Sequence, residues 1–357
     1  MKKYGVFLAF VLLLFSVFGF STHATGLKDL QTSHQFYDEI SYLVNKKIIS
    51  GYSDGTFKPD RAVTRGDAAI MIGRALKLDG KQRDTKFKDV TKEKQASGYI
   101  TSAVNLGIIT GYSNHTFKPD ALISRGDMAI IISRAFDLYV ESPFKFKDTG
   151  ENMVAYEAIH RLSLASITAG YTDSTFRPTL NISRGQFSAF LARALEVEFK
   201  QKASIENSFA KDKTKQYTYK SQQNGLEDLI FKDVGYIFGK DSDYVGYVWE
   251  TTNQTSGEAI YLIEDESYQG LISAYPMSNY YVELRYPIKL GRKWESDMDT
   301  SRITGVNKKV TTPFKTFTEA VEVTLGEGAK VYYVKGVGKV KVLDAKGKTI
   351  YELINIR

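Results

Sequence analysis

The first half of the chain writes one pattern three times. Leu27-Lys28-Asp29-Leu30, Phe87-Lys88-Asp89-Val90 and Phe146-Lys147-Asp148-Thr149 open the copies, and their aspartates stand 60 and then 59 residues apart. Each Asp is followed 22 residues later by Gly-Tyr, at Gly51-Tyr52, Gly111-Tyr112 and Gly170-Tyr171. Thr-Phe-Lys/Arg-Pro comes next, ending at Pro59, Pro119 and Pro178. Then come Thr64-Arg65-Gly66-Asp67, Ser124-Arg125-Gly126-Asp127 and Ser183-Arg184-Gly185-Gln186. A period of this length means one supersecondary unit used three times. Such a unit cannot bury its apolar face alone, so the copies must pack on one another.

Each copy reads as helix, loop, helix. Phe36, Ile40, Leu43 and Val44 have helical spacing, and Ile100 and Ile159 stand where Ile40 does. Gly51, Gly111 and Gly170 follow as candidates for the left-handed residue that stops a helix. Asp54-Gly55, Asn114-His115 and Asp173-Ser174 suit tight turns. The second helix begins with a hydroxyl N-cap and, three residues on, an Asp or Gln able to return a bond. Its body is almost wholly apolar, as in Ala68 to Ile72, Met128 to Ile132 and Phe187 to Leu191, which predicts burial on most faces.

Arg65, Arg125 and Arg184 fall at the first position of that second helix, where unpaired amides and the positive end of the helix dipole favour an anion. A guanidinium there offers a planar fork to a carboxylate or phosphate. The competing expectation is an ion pair with Asp29, Asp89 or Asp148 of a neighbouring copy.

These motifs, in this order, resemble the S-layer homology domain family over about residues 27–198. The resemblance implies a pseudo-threefold helical bundle. It also implies non-covalent binding to an anionic, pyruvylated secondary cell-wall polymer in grooves between adjacent repeats, the motif arginine meeting the ketal carboxylate. The polymer-binding residues so implied are Asp29, Gly51, Arg65, Asp89, Gly111, Arg125, Asp148, Gly170 and Arg184, with no catalytic residue, metal or cofactor. Where the family carries a Trp near the start of the first helix, this chain has about Gln35, Gln95 and Val154. Its Ala-Glu after the Arg becomes Gly-Asp or Gly-Gln, and Gly weakens a first helical turn.

Export is read independently at the N-terminus. Lys2 and Lys3 precede an apolar run from Phe7 to Phe20, and Thr22-His23-Ala24 offers a cleavage point, so residues 1–24 read as a signal peptide. The run is shorter than the roughly 20 residues a membrane span needs. The chain has no cysteine, which excludes disulfides, thiolate metal sites and thiol nucleophiles. Net charge is +7, yet residues 205–357 hold 21 Lys+Arg against 21 Asp+Glu. The excess therefore lies in the repeats and favours an anionic partner, an extracellular polyanion rather than nucleic acid.

Beyond Tyr217 the pattern changes to period two. Tyr244 to Glu250, Glu258 to Ile263, Tyr275 to Leu290, Val321 to Thr324 and Val331 to Val342 are strand candidates. Gly326-Glu327-Gly328 and Asp344 to Gly347 read as hairpin turns. The expectation is an α + β multidomain chain: repeats at 25–84, 85–144 and 145–199, a linker at 200–216, and an antiparallel β-rich domain at 217–357, curved or an open barrel. All four histidines, His23, His34, His115 and His160, lie outside that domain, so Ser-His triads and most zinc sites are excluded there. Paired carboxylates are the remaining enzymatic candidates, as in a wall-anchored glycosidase: Glu264-Asp265-Glu266, or Glu295, Asp297 and Asp299. The plain expectation for both groups is solvated acidic turns. Asp297 and Asp299 are also Ca²⁺ candidates that lack further oxygen ligands. A structural S-layer subunit is the third reading of the whole chain, against which its short displayed part and basic balance argue.

Overall fold

The computed structural model describes residues 26–357 apart from 140, 143, 197–198, 201–204, 206, 237–244, 276–277, 279 and 297–298. The leader expected at 1–24 lies outside the described residues. Among the described residues six helices come in three pairs: α1 (Tyr37–Asn45) with α2 (Arg65–Ala75), α3 (Ser97–Asn105) with α4 (Arg125–Ala135), and α5 (Tyr156–Leu164) with α6 (Arg184–Leu195). The second helix of each pair starts at the arginine, as the caps require. Thr64, Ser124 and Ser183 each accept a bond from the third helical amide, and Asp127 and Gln186 return it to complete a capping box.

The pairs interlock in a closed circuit. α2 packs on α3, α4 on α5, and α6 returns to α1. Just ahead of the second helices the backbones bond in a ring: Val63 N–H donates to Ile182 O, Ile182 to Ile123 O and Ile123 to Val63 O, at 3.0 to 3.1 Å. Ile40, Ile100, Ile159, Phe57, Phe117 and Phe176 are all fully buried in one shared core. That sharing is why one unit would not suffice. Each helix leaves apolar surface that only its neighbours cover, at about 25 cal/mol per Å².

The helix stop differs from the expectation. The left-handed residues after the first helices are Lys47, Gly107 and Ser166, at φ 58, 71 and 55°. Of the glycines proposed for that role, only Gly170 has positive φ. Gly51 and Gly111 are kept by close approach instead. A Cβ on Gly51 would lie 2.9 Å from the Thr56 carbonyl oxygen, and one on Gly111 would overlap the Phe87 ring and meet Thr116 O at 3.0 Å.

The second half is a twelve-stranded antiparallel sheet: β1 (Gln216–Ser221), β2 (Gly225–Tyr236), β3 (Val245–Asn253), β4 (Ala259–Ser267), β5 (Gly270–Ala274), β6 (Tyr281–Arg285), β7 (Lys293–Ser296), β8 (Asp299–Thr311), β9 (Thr316–Thr324), β10 (Lys330–Val334), β11 (Gly338–Leu343) and β12 (Thr349–Ile356). Every neighbour pair is sequential except β1 beside β12, so two meanders are joined at the chain's return. The edges β6 and β7 curl toward each other, and Trp294 Nε1 on β7 donates to Val282 O on β6 at 2.8 Å. The sheet is thus a near-barrel. Val331 to Val342, which has the alternation of one strand, is two strands split by a turn with Gly336 at φ 65°. Tyr275 to Leu290 contributes only β6. Phe209, Ala210 and Lys211, in the stretch expected as a linker, are buried against the sheet.

The two halves touch. Ile272 of β5 joins the helical core, and Ser166 Oγ donates to Asp265 Oδ1 at 2.8 Å.

Candidate functional site

Each repeat builds a loop for the repeat before it. Asp29 accepts from the amides of Phe57 and Lys58, Asp89 from Phe117 and Lys118, and Asp148 from Phe176 and Arg177, at 2.6 to 2.8 Å. Burial pushes the Asp29 and Asp89 carboxyls up, but the two amides outweigh it and hold both below the ordinary value. These aspartates therefore brace the Thr-Phe-Lys/Arg-Pro loop and make no ion pair with the motif arginines.

The arginines find neutral partners. Arg65 Nε donates to Phe117 O, Arg125 Nε to Phe176 O and Arg184 Nε to Phe57 O, each at 2.9 Å. Arg65 Nη2 reaches Thr110 O at 2.7 Å and Arg184 Nη2 reaches Ser50 O at 2.9 Å. Each Arg thus clamps the loop of the next repeat, the third returning to the first. The expected partnership with Asp29, Asp89 or Asp148 is replaced by carbonyls, because both carboxylate oxygens are already held by their own loop.

The free helix amides expected beside the arginines are also taken. The Arg65, Arg125 and Arg184 amides donate to Ala121, Leu180 and Arg61 carbonyls, and the Gly66, Gly126 and Gly185 amides to Pro119, Pro178 and Pro59 carbonyls, at 2.8 to 2.9 Å. The N-cap oxygen takes the third amide. Whatever anion these helix starts attract must meet side chains, since the backbone donors are spent. The same contact explains the glycine after each Arg: a Cβ on Gly66 would come within 3.1 Å of Pro119 O.

What each groove presents is a tyrosine between cations. Tyr112 has Lys118 Nζ 4.3 Å and the Arg65 guanidinium 5.1 Å from its ring centre. Tyr171 has Arg177 at 3.8 Å and Arg125 at 5.0 Å, and Tyr52 has Lys58 at 4.6 Å and Arg184 at 4.9 Å. Lys58, Lys118 and Arg177 sit at φ 55 to 60°, the left-handed region non-glycine residues seldom occupy. Backbone strain of that kind is concentrated at functional sites. The arginines and tyrosines come together as the repeat pattern allows. The tyrosines Tyr52, Tyr112 and Tyr171 and the partner cations Lys58, Lys118 and Arg177 were missed as site residues, although their recurrence in the same period was the available signal.

The three positions are not equivalent. Arg65 is half-buried, whereas Arg125 and Arg184 are 4% and 8% exposed. Burial lowers the pKa of both buried arginines from its usual height. The Arg125 groove opens into a cavity of about 370 Å³ whose walls include Phe36, Tyr171, Gln186 and, from the sheet half, Tyr268.

Of the carboxylate candidates of the sheet half, the run on β4 serves packing, while Glu295 is exposed. Glu264, Asp265 and Glu266 lie on β4, not in a solvated turn. Glu264 pairs with Lys211 at 2.8 Å, both nearly fully buried. Asp265 receives Ser166. Glu266 receives Ser208 Oγ, the Phe209 amide and Tyr286 Oη. Glu295 receives the Thr300 hydroxyl, and Asp297 lies outside the described residues. Among the described residues no group of three or more His, Cys, Asp or Glu is placed to hold a metal, and no helix is long and apolar enough to cross a membrane.

The S-layer homology domain family matches residues 26–69, 86–129 and 145–188. Similar curated proteins include cell surface glycoprotein 1 of Acetivibrio thermocellus, 31% identical over 43% of this chain and 7% of that protein. An endoglucanase of a Bacillus species is 28% identical over 49% of this chain and 19% of its own length. A cellulosome-anchoring protein of Acetivibrio thermocellus is 33% identical over 37% of this chain and 31% of its length. The chain thus spans less than a third of each of these relatives.

Proposed function

Because residues 26–69, 86–129 and 145–188 are S-layer homology domains, we propose that this is an exported cell-surface protein held non-covalently on an anionic wall polymer. In this reading the repeats, at 25–84, 85–144 and 145–199, form a pseudo-threefold bundle, and the β-rich half from about residue 217 is displayed from it. Arg65, Arg125 and Arg184 with Tyr112, Tyr171 and Tyr52 face the polymer. Asp29, Asp89 and Asp148, with Gly51, Gly111 and Gly170, shape the loops that present them. A ketal-linked pyruvate carboxylate is the group the guanidinium fork suits best. The observation that carries the reading is the thrice-repeated tyrosine beside a motif arginine, each arginine bonded only to backbone carbonyls, whereas the outer cations Lys58 and Arg177 also pair with the exposed Asp54 and Asp173. Supporting context comes from two relatives, a cellulosome-anchoring protein and a cell surface glycoprotein.

The test is binding of the full chain to purified cell walls before and after removal of pyruvate. Removal should weaken binding, and equal binding would overturn the carboxylate as the recognised group. Arg65→Ala should cost about tenfold in affinity, the worth of one charged hydrogen bond, with the helical circular dichroism unchanged. Undiminished binding by that variant would overturn the groove.

A further inference from the structure

Two cavities meet where the helical repeats and the sheet touch. The first is the space of about 370 Å³ that opens from the Arg125 groove. The second, about 450 Å³, lies between the third repeat and the sheet half, with Lys147, Ser174, Phe209, Tyr286 and Lys335 among its walls. Tyr268 and Ile205 line both. Each volume falls in the range of about 300–1,000 Å³ typical of ligand clefts.

We infer that the sheet half extends the polymer site, so that an anionic glycan entering the Arg125 groove continues over Tyr268 into the cleft between Lys147 and Lys335. The inference rests on the anchoring function proposed above, and it assigns the β-rich half a part in recognition. Charge is the first argument. Among the described residues the walls of the second cleft hold two ammonium groups and no carboxylate. Lys147 Nζ donates to Asp173 O at 2.9 Å and Lys335 Nζ to Asn207 Oδ1 at 3.0 Å. Both acceptors are neutral, so both positive charges remain for a ligand, and both side chains are exposed. The described walls of the first cavity hold Arg125, Arg193, whose charge is paired with Glu39 at 3.2 Å, and one carboxylate, Glu266, whose oxygens are occupied by Ser208, Phe209 and Tyr286.

Shape is the second argument. Tyr171, Tyr268 and Tyr286 line the two cavities in turn, and Arg125 and Arg177 lie against the Tyr171 ring. Rings offer the apolar faces of sugar residues a surface, and lysines offer their carboxylates a partner. A cavity built for an apolar ligand would not carry this charge. A single-sugar site would not need the second cleft.

The test uses the full chain and an acidic polysaccharide released from Gram-positive-type cell walls, size-fractionated into short and long fragments. Lys147→Glu with Lys335→Glu should weaken long fragments about fivefold or more while leaving short fragments, held in the groove alone, unchanged. Tyr268→Ala should also weaken long fragments, and Tyr268→Phe should restore them. Long fragments whose carboxylates have been reduced should bind wild type and the double variant alike. An unchanged affinity of the double variant for long fragments overturns the track, as does an equal loss for short and long. In either case normal sensitivity to Arg65→Ala leaves the anchoring function standing. If wild type binds neither fragment class, both fall together.

Discussion

The motif arginines of the repeats and the buried lysines of the sheet treat charge in opposite ways. In the repeats, Arg65, Arg125 and Arg184 donate to backbone carbonyls and stack on tyrosines. Their charge is oriented without being neutralised. In the sheet, Lys211 meets Glu264 and Lys339 meets Glu283 inside the curl, where each cation is cancelled by a carboxylate. Glu283 shows how complete the cancellation is. Burial alone would raise its carboxyl, but Lys339, Ser273 and Tyr333 together bring it down to about 2. A cation bonded to neutral oxygens remains available to an anionic ligand. A cation in a buried pair belongs to the fold.

The largest expected effect tests the sheet side of this contrast. Lys211→Met strands Glu264 among buried neighbours and should cost about 3–5 kcal/mol. Both tryptophans, Trp249 and Trp294, lie in the sheet half, so a urea titration followed by Trp fluorescence reads that loss directly. Lys94→Met, which breaks the pair of Lys94 with the exposed Asp120 in the repeats, should cost under about 1 kcal/mol. Similar losses for the two would break the comparison.

A smaller effect tests how the repeats hold their loops. Gly111→Ala drives a methyl at Phe87 and the Thr116 carbonyl, and overpacking of this kind costs about 1–3 kcal/mol. The helical signal should melt earlier while the Trp signal stays in place. A neutral result would mean that the Gly-Tyr corner yields more easily than its contacts imply.

The remaining effects are pH slopes, and they should run in opposite directions. The His160 ring is lowered from 6.5 to about 4, first by burial and then by Lys145. The unfolded chain takes up that proton first, so the repeats lose stability as pH falls from about 6.5 through about 4. The Asp265 carboxyl is raised by burial from 3.8 to about 8. There the folded state keeps the proton longer, so stability is greatest at low pH and declines as pH rises from about 4 to about 8. Melting the full chain across this range should show the two trends, and Asp265→Asn should flatten the second. A slope unchanged by that substitution would remove Asp265 as its source.

Much of the helical half was readable from residues alone. A hydroxyl three positions before Asp or Gln marked each second helix to the residue, because a cap is a local contact. The arginines' first helical position followed from the same signal. Their partners did not, and the two expected ones, free amides and aspartates, were both already committed elsewhere. The glycines after the first helices were misread for a related reason: a left-handed turn and a close backbone approach both select glycine, and only the neighbours tell them apart. In the sheet, alternation located β3, β4 and β9 but ran β10 and β11 together, since a turn of few residues barely interrupts period two. The acidic run on β4 reads as solvent-facing by composition and is buried because each carboxylate has a specific partner.

The sequence by itself determined that the first half is one unit used three times, where its second helices begin, and which side chains recur at equal intervals. Those are short-range facts, set by caps, turns and period. Only the tertiary structure decided what the recurring side chains touch. Arg184 meets Phe57 across 127 positions of chain and Ser166 meets Asp265 across 99. Contacts of that span are chosen by how the repeats close on one another and how the sheet curls against them, which no local spacing encodes.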